Sequence, residues 1–250
     1  MGFLLIGVLA LVWEVAGRTG LLNSFYFPQV HRIVARLFTT VADGRLPAAV
    51  AISLLRGFTG YAIAIGLGVT LGVLAGYHRF VYNLIEPLVE FLRPLPAPAI
   101  IPVAILLLGI DSSMKIFIVA WACFFPTLLN TMDGVRSVPP ALIETVRNLG
   151  VGYLQTLWAV VLPAASPVIF TGFRVSLAIM LILVVVAEMV AGNTGIGFLI
   201  LDAERSFLVA DMYAFIATLA AVGYLLNRLL LLVDRKVLAW HHGMTALAAP

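Results

Sequence analysis

Long apolar runs fill most of this chain, and polar residues collect in the short gaps between them. A hydrocarbon core of about 30 Å takes roughly 20 apolar residues in helical form. On that measure the pattern predicts about six transmembrane helices, over 2–16, 54–77, a broken element spanning 81–109, 114–132, 163–191 and 207–233. The first is short, with Trp13 and Glu14 near its end, where both suit an interface. It has neither a basic leader nor a small-residue cleavage pattern, so it reads as a span, and a basic extension ahead of it is expected. Between the first two spans, Val30, Val34 and Leu37 share one helical face, with His31, Arg32 and Arg36 elsewhere. That predicts a helix lying on the membrane surface over about 28–40. His31 lacks company at metal-ligand spacing and reads as interfacial.

Within the spans, a few residues break the apolar pattern. Gly68, Gly72 and Gly76 recur at i+4 steps, a stripe that lets two helix backbones approach closely, either between subunits or inside one. Pro94, Pro96, Pro98 and Pro102 forbid regular helix until Ala99, so this span is broken at its entry and its freed carbonyls must be buried in protein or line a cavity. Arg93 at that break is a candidate pathway residue, or a cation snorkelling to the interface. Asn130, beside Asp133 at the end of the fourth span, is another pathway candidate. Arg174 and Glu188 stand inside the fifth span about 21 Å apart along a helix, too far to pair with each other. Ionisable groups at that depth mark a pathway or are tied down by carbonyls and neighbouring helices.

Composition sharpens this picture. Of 250 residues 62% are hydrophobic and only 11% charged, and the mean hydropathy is +1.10. A soluble domain carries about a quarter charged residues, so this is a polytopic membrane protein with no soluble domain to spare. A net charge of +3 without a basic cluster gives no case for nucleic-acid binding. The single Cys123 reads as a small core residue, and the His241-His242 tail as a solvated end. Lys115 and Lys236 are the two lysines, and neither follows a glycine, so no phosphate-binding loop is present. No metalloprotease, redox or hydrolase motif appears either. The chain is not expected to be an enzyme or to bind a cofactor itself.

The residues 139–163, PPALIETVRNLGVGYLQTLWAVVLP, are helix-patterned but too polar to span. Leu142, Val146 and Leu149 form an apolar stripe, with Glu144, Arg147 and Asn148 on the other side. Pro139 and Pro140 suit the first turn and Gly150 a left-handed cap. After Gly152 a second helical pattern, with Leu154, Leu157, Trp158 and Val161 on one face, is expected to stop at Pro163. Glu144, then Gly150, then Leu162-Pro163 resembles the signature loop of ABC importer permeases, a Glu-Ala-Ala sequence, a spaced glycine and a hydrophobic-Leu-Pro close. Thr145 and Val146 stand where two alanines are usual. The flanks SVPPALIETVRNLG and LPAASPVIFTGFRVSLAIMLILVVVAEMVAG resemble the nitrate, sulfonate and taurine branch of that family.

The resemblance implies a single all-helical permease domain over 1–250, a type I importer bundle in a bacterial inner membrane. The loop 139–162 would be its cytoplasmic coupling helix, with Glu144, Thr145, Val146, Arg147, Leu149, Gly150, Leu162 and Pro163 coupling it to an ATPase. Implied partners are a second copy of the chain, two ATPase subunits holding ATP and magnesium, and an extracytoplasmic binding protein delivering a small anion such as a sulfonate, taurine or nitrate. Orientation rests on this resemblance, since seven Arg and Lys residues fall on each side and the positive-inside rule is silent. The competing expectation is an ion-coupled transporter or channel using Glu188 and Arg174.

Overall fold

A computed structural model describes residues 2–239, and the His241-His242 tail lies outside them. Every regular element among the described residues is helical. Four helices are long and apolar enough to cross a membrane: α3 (Arg45–Tyr77), α6 (Ser112–Arg136), the continuous run Tyr153–Ala191, and α11 (Val209–Val237). α4 (Arg79–Leu92) and α5 (Ala97–Leu108) meet that measure only as a pair bent by 95°, the geometry of a broken span or a re-entrant loop. α1 (Gly2–Arg18), whose 17 residues reach about 25 Å, falls just short of that measure, so among the described residues four crossings, or five with the broken pair, stand against the expected six.

Element boundaries move for identifiable reasons. The second span starts at Arg45, not Leu54, because Gly44 at φ +78 turns the chain and Pro47 falls in the first turn, where its missing N–H costs nothing. For the same reason α5 begins at Ala97 and takes Pro98 into its first turn. The fourth span starts at Ser112, two residues earlier than expected, and Lys115 is buried in α6 (Ser112–Arg136) with its Nζ donating to Ile110 O at 2.7 Å. Nor does Pro163 stop the second short helix of the 139–163 stretch. Between α8 (Tyr153–Thr156) and α9 (Leu162–Ala191), residues Leu157–Val161 form a π-turn. Widening the turn ahead of the proline relieves its clash with the preceding carbonyl, so the helix runs on. At the other end α11 continues past Val233 through Asp234.

The chain forms two compact units, Met1–Leu55 with Val185–Gly223, and Arg56–Val184 with Tyr224–Pro250. In the first, α2 (Val30–Ala42), the helix expected over about 28–40, is held from both sides. Glu14 of α1 accepts from Arg18 Nε at 2.6 Å and pairs with His31 Nδ1 at 2.8 Å. Arg36 donates twice to Asp211 of α11, at 2.5 and 2.7 Å. Hydrogen bonding to Asp211 raises the Arg36 guanidinium above its ordinary range.

In the second unit α3 lies on α6 along its glycines. A Cβ on Gly68 would stand 2.9 Å from Thr127 Cγ2, on Gly72 2.7 Å from Thr131 Cβ, and on Gly76 2.7 Å from Val135 Cβ. The stripe therefore serves packing inside one subunit.

Candidate functional site

The elbow at 139–162 is built from two short helices. α7 (Pro140–Asn148) starts on its proline and ends at Gly150, whose φ of +73 closes the turn as Gly150 N donates to Arg147 O at 3.0 Å. The stripe read from the spacing is not the side that meets the buried core. Ile143 packs against a buried cluster of Val135, Val138, Val161, Ala165 and Ile169. Leu142 and Leu149 are exposed, Leu149 at 75%, as are Glu144, Thr145 and Arg147. The buried core meets α7 one position over from the Leu142, Val146 and Leu149 stripe, at Ile143. Below the elbow a cavity of about 810 Å³ is lined by Tyr77, Arg136, Glu144, Arg147 and Tyr153 among others. Tyr153 fastens α8 to the end of α3, with its ring 4.5 Å from that of Tyr77 and its hydroxyl 3.1 Å from His78 Nε2.

A second cavity, of about 560 Å³, lies along α6 and opens at the broken span. The break itself supplies Arg93, Leu95 and Ala97, and α6 supplies Trp121, Phe125, Asn130 and Asp133. Irregular backbone in a membrane protein is tolerated where it lines such a space. Asn130 Nδ2 donates to Pro126 O at 2.8 Å, which leaves its carbonyl oxygen available. The side chains of Arg93 and Asp133 are exposed and form no hydrogen bond or ion pair with described residues.

Residues 68–239 match the family described as the binding-protein-dependent transport system inner membrane component. The chain belongs to this family. It is 34% identical over 97% of its length to an aliphatic sulfonates transport permease protein of Bacillus subtilis, covering 88% of that protein. It is 31% identical over 94% of its length to the taurine transport system permease protein of Escherichia coli, again covering 88%. A bicarbonate transport system permease protein of Synechococcus elongatus is 35% identical over 74% of this chain and 67% of its own. The methionine ABC transporter solved in inward-facing conformations has the same fold, with a TM-score of 0.65 over 76% of this chain and 94% of that one at 20% identity. The protein is thus the membrane-embedded permease subunit of an ABC importer in a bacterial inner membrane, and the ATPase of the complex is a separate subunit.

The other two pathway candidates of this permease have partners. Glu188 is fully buried in the first unit. Ser53 Oγ donates to its carboxylate at 2.7 Å, Gly197 N donates to Oε2 at 3.1 Å, and Ile196 N donates to Ser53 Oγ at 2.9 Å. The carboxylate thereby caps the start of α10 (Ile196–Arg205), where unpaired amides and the helix dipole favour negative charge. Arg174 in the second unit donates to Asp234 of α11 at 3.2 Å. Neither lines the 560 Å³ cavity, and nothing favours an ion-coupled transporter built on them. Sequence reasoning passed over Asp133, Trp121 and Phe125 in the cavity and Ser53 beside Glu188. No single stripe marked them, since Trp121 and Asn130 stand about 180° apart on an ideal helix at 100° per residue.

Proposed function

We propose that this permease works as a homodimer, each copy a single transmembrane domain, with two ATPase subunits that bind ATP and magnesium and an extracytoplasmic binding protein that delivers a small sulfonate-type solute. The elbow 139–162 is its contact with the ATPase. One observation carries this reading: α7 is anchored to the permease through Ile143 and leaves Glu144, Arg147, Leu142 and Leu149 outward. An exposed pair of leucines flanking a charged pair is the composition of a docking surface, with an apolar centre and charges that fix register. From the elbow, helix continues unbroken through the π-turn into α9, so displacement of α7 and α8 has a stiff element to act on. Glu144, Thr145, Val146, Arg147, Leu149 and Gly150 meet the ATPase or shape the elbow, while Leu162 and Pro163 join it to the span. The solute class follows the relatives, whose names give aliphatic sulfonates and taurine.

Native mass spectrometry of the chain co-expressed with its ATPase tests the assembly. Two copies of each subunit are expected, and a complex with no ATPase would overturn the reading. Glu144→Lys should reduce assembly or solute-stimulated hydrolysis while the permease melts as before. Unchanged assembly and coupling would remove Glu144 from the contact.

A further inference from the structure

Two spans of the second unit end together. A Cβ on Gly76 would stand 2.7 Å from Val135 Cβ, which brings Tyr77, the last residue of α3, beside Arg136, the last of α6. At this end the 810 Å³ cavity under the elbow and another of about 290 Å³ share Gly76, Tyr77 and Arg136 as walls. The smaller adds Arg79, Tyr82 and Asn83, and the larger adds Arg147. The Arg136 guanidinium lies 3.8 Å over the Tyr82 ring, which holds it in place without neutralising it. Arg79, Arg136 and Arg147 are exposed, and among the described residues none of them has an ion-pair partner. Glu144 is the one carboxylate among the described residues lining either cavity, and Glu86 accepts from the Tyr82 hydroxyl. Three guanidiniums against one carboxylate leave this place cationic.

Apolar surface flanks the cations on two helices. On α4, Phe80, Leu84, Leu88 and Phe91 recur at i, i+4, i+8 and i+11 and are all exposed, Phe80 at 80%. Past Tyr153, Leu154 and Trp158 are exposed one turn apart. Tyr77, Tyr153 and Trp158 are the ring types that gather at the boundary of a membrane. A soluble anion gains nothing from such flanks, whereas a molecule with a phosphate at one end and acyl chains at the other covers both.

We propose that the cavities around Arg136 bind the phosphate of an anionic membrane phospholipid. Such a site goes beyond the importer reading and does not depend on it, since it needs only that α3 and α6 cross a bilayer and end at its phosphate level. The phosphate oxygens accept from the Arg136 and Arg79 guanidiniums, Arg147 borders the same anion from α7, and the acyl chains lie along the exposed apolar residues of α4. Guanidinium forks match phosphate oxygens bidentately, and charge-assisted hydrogen bonds of this kind are the strong ones. Basic pockets between transmembrane helices at a membrane surface take lipid headgroups in this way. Phosphatidylcholine carries the same phosphate, but its choline brings a further cation up to three guanidiniums and weakens its binding. Because Arg147 belongs to α7, an occupied site also joins the elbow to the ends of α3 and α6.

The test is native mass spectrometry of the permease, alone and with its ATPase, released from nanodiscs of equimolar phosphatidylglycerol and phosphatidylcholine. Phosphatidylglycerol is expected on each permease copy, retained about tenfold over phosphatidylcholine. Arg136→Gln should lower that retention about tenfold and Arg79→Gln about threefold. Arg235→Gln, which removes an exposed arginine of α11 that lines neither cavity, should leave it unchanged. Melting of each variant checks the fold, and if Arg136→Gln does not fold, Arg79→Gln decides. Equal retention of the two lipids, or phosphatidylglycerol retention indifferent to both substitutions, overturns the proposal. Glycerol 3-phosphate is expected not to displace the lipid, and its displacing the lipid in an Arg136-dependent way would make this a soluble-anion site and overturn the lipid assignment. Loss of the lipid whenever the ATPase assembles would give the cavities to the ATPase and also overturn the proposal. Failure to assemble with an ATPase would strike the importer reading, while the permease alone still decides the lipid site.

Discussion

Glu188 in the first unit and Asp133 in the second are both carboxylates on long apolar helices, yet one is enclosed and the other is open. Glu188 is met by a hydroxyl and a backbone amide and has no exposed surface. Asp133 borders a cavity and has no partner among described residues. A carboxylate buried in a medium that solvates it poorly persists only when hydrogen bonds replace the water. Once they do, the group holds structure together and is not free to exchange partners with a solute. Depth in an apolar run therefore does not separate a pathway residue from a structural one. Whether its hydrogen-bonding capacity is already filled does.

Breaking the closed node should have the largest effect. Glu188→Ala strips the acceptor from Ser53 and from Gly197 N, and is expected to cost about 3 kcal/mol of stability, read as a large fall in melting temperature in detergent. Gly195→Ala attacks the same node from outside, because Gly195 sits at φ +108 and an added Cβ would collide with the Glu188 carboxylate. A Glu188→Ala permease that melts normally but no longer transports would place Glu188 in the pathway after all. Next in size is Gly72→Val. The α3–α6 contact leaves no room for a side chain there, so overpacking of about 2 kcal/mol is expected. If that variant instead melts normally and only dissociates a dimer, the stripe belongs to an interface between subunits.

The clip between α2 and α11 should matter less. Arg36 is 45% exposed at its side chain, so water screens much of its attraction to Asp211. Arg36→Ala is expected to cost about 1 kcal/mol, measured by the same melts. A loss several times larger would mean that the buried Asp211 carboxylate depends on Arg36 alone for its charge compensation.

Hydrophobic spacing was enough to read the helices, α2 among them, the break at the prolines and the elbow at Gly150, because each is written in local periodicity or in a residue with restricted φ. What spacing missed are pairings across long sequence distances. Ser53 with Glu188, Arg36 with Asp211, and the cavity shared by Arg93 and Asp133 join residues far apart in the chain. Pro163 misled for a different reason. Its effect on a helix depends on whether the preceding turn widens, and the π-turn at Leu157–Val161 has no signature in composition. Which residue of α7 turns inward was not legible either, because its partner cluster is drawn mostly from α6 and α9, and that cluster decides that Ile143 packs inward and Leu149 stays outward.

The smallest effect is expected at Thr145, and it is informative for being small. Thr145 is exposed, and its hydroxyl donates to Ala141 O at 2.7 Å within its own helix. Replacing it with alanine leaves at most one carbonyl to water and improves helix propensity, so stability should change by no more than about 0.5 kcal/mol. Thr145→Ala also restores one of the two alanines usual beside Glu144 in this family's loop. If docking depends on the Glu144 carboxylate and on the exposed leucines, ATPase affinity in a pull-down titration stays the same or rises slightly. A marked loss would mean that the ATPase of this importer reads the threonine itself. The departure from Glu-Ala-Ala would then be a matched feature of this permease and its ATPase, and Glu144 would no longer account for the contact by itself.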